Sequence, residues 1–398
     1  MKKVFFIADI LLLMSYCVFS QNVGIGTNSP GSKLHIRGNA DASQLTIDAN
    51  STQSNSHPLI RLRNSAGSDL LHIHADDTTN IFIGFNAAKN YSVTAAIKNN
   101  IFIGNYAGFY NTSGYYNTVV GSKALSTNTS GHGNTAYGFQ ALVNNNNGNY
   151  NVALGPSALQ RNVSGNYNTA VGANSLDLTY ASDYNTALGF AAGDSYDNGY
   201  NNVFLGANVD VNGPGYYNVI AIGQGTVCTS VSQVTIGNGA TTSYRAYALW
   251  SNISDGRYKK NIKENVHGLD FINKLRPVTY NLDAAGLDAF LHKNVTKNKS
   301  ENIEAKVIYD KALQEKESVT YSGFVAQEVE ASAKELGFYF SGVDAPKNAN
   351  DVYGLRYAEF VVPLVKAVQE QQKIIETQQQ KIDDLEKRLI ALEKSLGN

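Results

Sequence analysis

Between residues 79 and 250 the chain alternates three-residue apolar patches with longer polar, turn-rich stretches, and the alternation keeps a fixed period. An Asn-x-x-x-Gly pattern places its glycines at Gly104, Gly121, Gly138, Gly155, Gly172, Gly189, Gly206 and Gly223, each 17 residues after the last. The paired asparagines are Asn100, Asn117, Asn134, Asn151, Asn168, Asn185 and Asn202. The last unit slips by one, with Asn218 five before Gly223, and Asn80 with Gly84 makes an irregular first unit. Seventeen extended residues would span over ~50 Å at about 3.3 Å each, so each unit must fold back as a coil of short strands and turns. Triplets such as Thr118-Val119-Val120 and Thr186-Ala187-Leu188 favour strand and predict one buried face. Glycine permits a left-handed or closely approached corner. Ala107, Ala124, Ala141, Ala158 and Ala192, three residues on, suit a crowded interior. Asparagine at one place in every coil can stack as a hydrogen-bonded ladder.

The flanks have other periods. Residues 21–78 read as short strands between turn signals: Asn28-Ser29-Pro30-Gly31 marks a turn, and Lys33-Leu34-His35-Ile36-Arg37 alternates with period two. Leu59–Arg63 and Leu70–His74 repeat the style. His72 and His74 share one strand face near Asp76 and Asp77; polar residues on a solvated face explain them without a metal. From Val361 the apolar positions step by three and four through Leu364, Val368, Ile375, Ile382, Leu385, Leu389, Leu392 and Leu396, as in a coiled coil. Gln371 and Gln378 fall at core positions, where polar residues cost stability but can set register and oligomer number. The heptad alone allows a dimer or a trimer.

Charge sharpens the boundary near residue 251. Three basic and five acidic side chains lie between Ile101 and Trp250, and a charge-dense chain follows. One thin coil per rung buries little, so partner chains are expected over a lone solenoid. The net charge of −1 gives no reason to expect nucleic acid or a membrane surface as partner. Residues 1–20 read as a secretory signal: Lys2 and Lys3, an apolar run from Val4 to Leu13, and a cleavage site after Val18-Phe19-Ser20. A lipoprotein reading through Cys17 is set aside because Tyr16 is too bulky. Cys228 then stands alone, leaving no intrachain disulfide. No other stretch reaches the ~18 to 20 apolar residues of a spanning helix, so an exported chain without a transmembrane helix is expected.

Tyr110, Tyr115, Tyr116, Tyr150, Tyr167, Tyr184, Tyr200, Tyr216 and Tyr217 stand largely at equivalent places before the asparagine. An aromatic ladder that fastens the rungs is the favoured reading. A stripe for a cell-surface glycan is the alternative, since aromatic faces beside amides suit sugars. A glycan-cleaving shaft would need paired carboxylates, and Asp177, Asp183, Asp194, Asp197 and Asp210 are scattered.

The stretch Ser254-Asp255-Gly256-Arg257-Tyr258-Lys259-Lys260, followed by Asn261-Ile262-Lys263, carries candidate chemistry. A serine cuts a peptide bond only if a base takes its proton, and a lysine at its reference pKa near 10.4 is charged at neutral pH. Burial that depresses the lysine by several units makes it a base. If only an assembled oligomer buries Lys259, cleavage reports assembly. Residues five apart on a straight strand face opposite sides. Either the backbone turns here, or Lys259 meets the Ser254 of another copy.

Downstream come Leu275-Arg276-Pro277-Val278-Thr279-Tyr280 and Ser322-Gly323-Phe324-Val325-Ala326-Gln327-Glu328-Val329. In this order and spacing, residues 251–370 resemble the S74 peptidase family, the C-terminal intramolecular chaperone of phage tail spikes and tail fibres. The repeats resemble the head repeats of trimeric autotransporter adhesins, whose units are shorter. The opening Asn22-Val23-Gly24-Ile25-Gly26-Thr27 looks like the N-terminal segments of tail-fibre-like surface proteins. The S74 resemblance implies a homotrimer in which Ser254 is the nucleophile and Lys259 the general base. It implies cleavage at Ile253–Ser254 and release of residues 254–398 from a trimeric shaft. Asp255 and Arg257 would orient the site, and Gln327 and Glu328 would approach it. The same fold kept for trimerisation without cleavage is the alternative. His267 and His292 lack a nucleophile partner and read as structural.

The chain thus reads as a mainly β fibrous trimer. Its expected parts are a signal peptide (1–20), a short-strand β segment (21–78) and a stacked β-roll or solenoid (79–250). A small α+β self-cleaving chaperone (251–360) and a parallel coiled coil (361–398) complete it. The expected activity is single-turnover Ser-Lys autoproteolysis with no cofactor and no metal. The mature role is adhesion or receptor binding at a bacterial surface, with a cell-surface glycan or receptor as partner. A membrane-bound transcription factor with this chaperone would need a DNA-binding domain and a spanning helix, and neither pattern is present.

Overall fold

The computed structural model describes residues 23–25, 27, 29–30, 32–38, 45–47, 58–74, 79–91, 99–194, 199–247, 251–295 and 303–396. The signal-peptide reading, and Asp76, Asp77 and Asp197, lie outside them.

The repeat region is a β-solenoid. Ten short strands, from Ile81–Ile83 to Val234–Ile236, stack in parallel in one sheet. Thr118, Thr135, Val152, Thr169, Thr186 and Val203 stand in one column of that register. The sheet continues at its N-terminal edge into an antiparallel hairpin, Ile60–Arg63 with Asp69–His74. There the sequence expectation needs correcting. His74 is buried opposite Phe82, and His72 lies against Asp69 and the Phe85 ring, because the hairpin covers the end of the first coil.

The middle residue of each strand points inward: Phe82, Phe102, Val119, Ala136, Ala153, Ala170 and Ala187 are buried and meet the buried alanine column. A leucine column outside the Asn-x-x-x-Gly pattern, Leu125, Leu142, Leu159 and Leu176, fills the rest of the interior. These leucines sit at φ of 50 to 53°, in the left-handed region. That conformation costs roughly 1–2 kcal/mol, while burying a leucine contributes about 1.5–3 kcal/mol. Burial therefore outweighs strain at each corner. Gly155, at φ 138°, shows why the period needs glycine: a Cβ there would lie 2.6 Å from the carbonyl carbon and oxygen of Gly172 in the next coil.

Two asparagine columns run through the interior. In the one expected from sequence, each backbone N–H donates to the side-chain oxygen one coil back, as from Asn134 to Asn117 at 2.9 Å. Each side-chain amide donates to a turn carbonyl, as from Asn117 to Gly131 at 3.0 Å. The second column, Asn111, Asn128, Asn145 and Asn162, is also fully buried and linked along the stack. The slip at the last unit is resolved in favour of the regular period. Val219, not Asn218, takes the next place, and its N–H donates to Asn202 Oδ1 at 3.0 Å. Asn218, at φ 56°, occupies the left-handed corner held by Tyr184 in an earlier coil. The rings of Tyr150, Tyr167 and Tyr184 stack nearly parallel with centroids 5.3 and 5.0 Å apart. Each ring covers its neighbour's face, which is the rung-fastening ladder. Cys228 is buried, and burial pushes its thiol up to about 11.

The C-terminal region is a small α/β body. Strand Val278–Asn281 pairs antiparallel with Thr320–Gly323, and helices Leu269–Ile272, Ala284–Leu291, Ile303–Glu317 and Ala326–Glu335 accompany it. Phe271, Val329, Ala333, Phe340 and Phe360 form its core. A 3-10 turn at Tyr357–Phe360 leads into one helix of 36 residues, Val361–Leu396, about 54 Å long at 1.5 Å per residue. Glu370 anchors its base by accepting from the Leu269 backbone N–H at 2.8 Å. Beyond Ala367 the heptad positions of this helix are exposed. No helix among the described residues is long and apolar enough to cross a membrane.

Candidate active site

Ser254 to Lys259 fold around a single 3-10 turn, Gly256–Tyr258. Asp255 starts the turn, its Oδ1 accepting from the Arg257 N–H at 2.9 Å. The Lys259 N–H closes it on the Gly256 carbonyl at 3.2 Å. The turn cancels the strand alternation that would set the two side chains on opposite sides. Lys259 Nζ then donates to Ser254 Oγ at 2.8 Å within one chain.

Asp255 has a second task. The Arg257 guanidinium forks onto its Oδ2, from Nε at 2.9 Å and Nη2 at 2.6 Å. This pairing holds the Asp255 carboxyl below the usual carboxylate range and raises Arg257 above its own. One carboxylate therefore both caps the turn and fixes the arginine. Ser254 and Lys259 are exposed, and Ile253, just before the serine, is 96% exposed. The bond is reachable, but a single chain leaves the pair in water.

The downstream motif segments meet each other elsewhere. Val278 pairs with Gly323 in the two-stranded sheet. Arg276, just before Val278–Asn281, reaches the helix Ala326–Glu335 and grips Glu328, with Nη2–Oε1 at 2.5 Å and Nε–Oε2 at 3.1 Å. The guanidinium holds Glu328 below the usual carboxylate range. Gln327 lines an open groove with Val278, Tyr280, Phe324, Tyr353 and Tyr357. Among the described residues neither Gln327 nor Glu328 hydrogen-bonds to Ser254 or Lys259.

Two arrangements had no signal in the sequence. Arg276 is the partner of Glu328, across 52 positions. His292 sits between two carbonyls, its Nδ1 2.9 Å from Asp288 O and its Nε2 2.9 Å from Gly225 O. Burial opposes its charge, but the hydrogen bonds to Asp288 and Gly225 prevail and push its pKa up to about 8. Tyr309 donates to Asp288 Oδ1 at 2.5 Å. His267 pairs with Asp270 at 2.6 Å. Among the described residues no group of three His, Cys, Asp or Glu side chains could hold a metal ion.

Residues 254–338 match the family model of peptidase S74, the chaperone of endosialidase. The match begins at Ser254 and spans the turn, both paired strands and the Arg276–Glu328 bridge. No curated protein and no solved structure matches the chain at a significant level.

Proposed function

We propose that this chain is the protomer of a secreted homotrimeric surface fibre whose C-terminal chaperone cuts itself from the shaft between Ile253 and Ser254. A β-solenoid joined to a chaperone-of-endosialidase segment is the make-up of a tail-fibre-like protein. The observation that carries the finer reading is the 2.8 Å approach of Lys259 Nζ to Ser254 Oγ beside an exposed Ile253.

In the proposed step Lys259, as the free amine, takes the Ser254 hydroxyl proton. Oγ attacks the Ile253 carbonyl carbon, the C–N bond breaks, and the amine of Ser254 leaves with a proton. Water then hydrolyses the Ile253 ester, giving a carboxylate and restoring the hydroxyl. Lysine works as a base only where desolvation disfavours its charge. Both groups are exposed in one chain, so the cover must come from neighbouring protomers, and cleavage waits for assembly.

Two uncovered apolar faces support the trimer. Leu364, Val368, Ile375, Ile382 and Leu389 are each about half exposed on the long helix. The outer face of the parallel sheet presents Ile81, Leu154, Leu188, Ile220 and Val234 to solvent, whereas parallel sheets are usually covered on both sides. The mature shaft is an adhesive or receptor-binding fibre on a bacterial surface.

The deciding experiment is denaturing electrophoresis with intact-mass measurement on the chain expressed from Gln21, beside Ser254→Ala and Lys259→Ala. A fragment starting at Ser254, absent from both variants, is expected. An uncut but trimeric wild type would sink the autoprotease reading and leave a permanent clamp.

A further inference from the structure

The C-terminal body is seated on the last solenoid coils. The loop around residues 347–351 is one contact. Asn348 Nδ2 donates to Thr229 O at 2.7 Å and to Tyr216 OH at 3.3 Å. Thr229 Oγ1 donates to Asp351 Oδ1 at 2.5 Å, and Asn212 Nδ2 donates to Asn350 O at 2.8 Å. The loop is built for this. Asp351 also accepts from the backbone N–H of Lys347 at 3.0 Å and of Val352 at 2.9 Å.

The helical side makes the second contact. His292 reaches Gly225 O at 2.9 Å, Asn294 Nδ2 donates to Asn212 O at 3.3 Å, and Lys316 Nζ donates to Thr241 O at 2.9 Å. Leu313, buried on an otherwise largely exposed helix, packs over Gly239. A Cβ on Gly239 would lie 3.0 Å from both Leu313 Cδ2 and Asp288 Oδ1. Asn212 and Thr229 are buried within this seam.

Apart from the two bonds within the loop, every one of these contacts joins a residue at or before 241 to one at or after 288. Breaking the Ile253–Ser254 bond would cut none of them. The physical need also outlasts the bond, because among the described residues Val234–Ile236 ends the stack with one edge unpaired, and the last coil of a repeat array needs a cap. We infer that residues 254–398 are a noncovalent cap that stays clamped on the terminal coils after the chain is cut. The resemblance drawn from sequence implies release instead. The inference rests on the cleavage reading only for how the cut arises.

The test therefore makes the cut independently. A site-specific protease sequence is inserted between Ser251 and Asn252 in full-length Ser254→Ala protein. The chain is then digested and followed by native size exclusion and denaturing gels. Both fragments should elute in one native peak at micromolar concentration and separate only when denatured. Asn348→Ala with Asp351→Ala, and Gly239→Leu separately, should each raise the concentration at which the fragments part by about tenfold or more. Fragments that separate at once, or that co-elute equally in parent and variants, overturn the clamp. Neither outcome depends on whether Ser254 cuts.

Discussion

Asn168 lies one coil beyond Asn151 and donates both its backbone N–H and its side-chain amide to the Asn151 oxygen, at 3.0 and 3.2 Å. Asn151 in turn donates to Gly165 O at 2.8 Å. Asn151→Ala would strip partners from buried groups on both sides. An unsatisfied buried donor or acceptor costs about 1–3 kcal/mol. A lower Tm by thermal melting is expected, with the sheet content unchanged below the transition.

The glycine column is less forgiving. Gly155→Ala must place a Cβ against the Gly172 carbonyl at φ 138°, combining strain with a backbone clash. A loss above about 2 kcal/mol, or failure to fold, is expected. Gly67, at φ 80° with nothing within 4 Å of its would-be Cβ, is the control. Gly67→Ala carries conformational strain alone and should cost about 1 kcal/mol. Equal losses at the two positions, by denaturant unfolding, would remove close coil approach as the reason for glycine.

His292 makes the stability of the folded chain pH-dependent. Both ring nitrogens face carbonyl oxygens, and only the doubly protonated ring can donate to both. In the folded chain burial opposes the charge, but Asp288 above all, with Gly225 the smallest contribution, raises the pKa to about 8, against an ordinary value of about 6.5. The bonus is therefore fully present below about pH 6.5 and is lost as pH rises through about 8. The nearby carboxylate of Asp288 and the Tyr309 hydroxyl bonded to it are the other titratable groups facing the ring. Up to about 2 kcal/mol is at stake. The Tm should fall as pH rises from 6.5 to 9 in the native chain and change less in His292→Gln.

Assembly and cleavage should fail together from one end only. Leu385→Asp with Leu389→Asp charges the exposed heptad face and should abolish both the trimer and the cut. Ser254→Ala should abolish the cut and leave the trimer intact by light scattering. A monomeric helix variant that still cuts at full rate would show that one chain suffices.

Asp255 is a positioning residue in this scheme, since it caps the turn that carries Lys259 to Ser254. Asp255→Ala should slow single-turnover cleavage about tenfold or more, with trimer yield unchanged. Asp255→Asn keeps the capping oxygen and should recover much of the rate. Equal rates in the two variants would instead assign Asp255 a role through its charge on Arg257.

Period and heptad were enough to show a stacked array and a terminal helix. Each is a local regularity that repeats, so neighbours along the chain carry it. The Asn-x-x-x-Gly spacing determined which residues form strands and which close the corners. It left out the left-handed Leu142 column and the second ladder through Asn145, because residue type alone does not say which corner turns inward. The motif around Ser254 marked the candidate chemistry, but its spacing could not choose between a strand and a turn. Asp255 chose, by capping. Only the tertiary structure set Arg276 on Glu328, placed Gln327 in a groove with Tyr280 and Tyr357, and seated His292 on Gly225. Those contacts join residues far apart in the chain, and which distant surfaces meet depends on how whole elements pack, a property no stretch of sequence carries by itself.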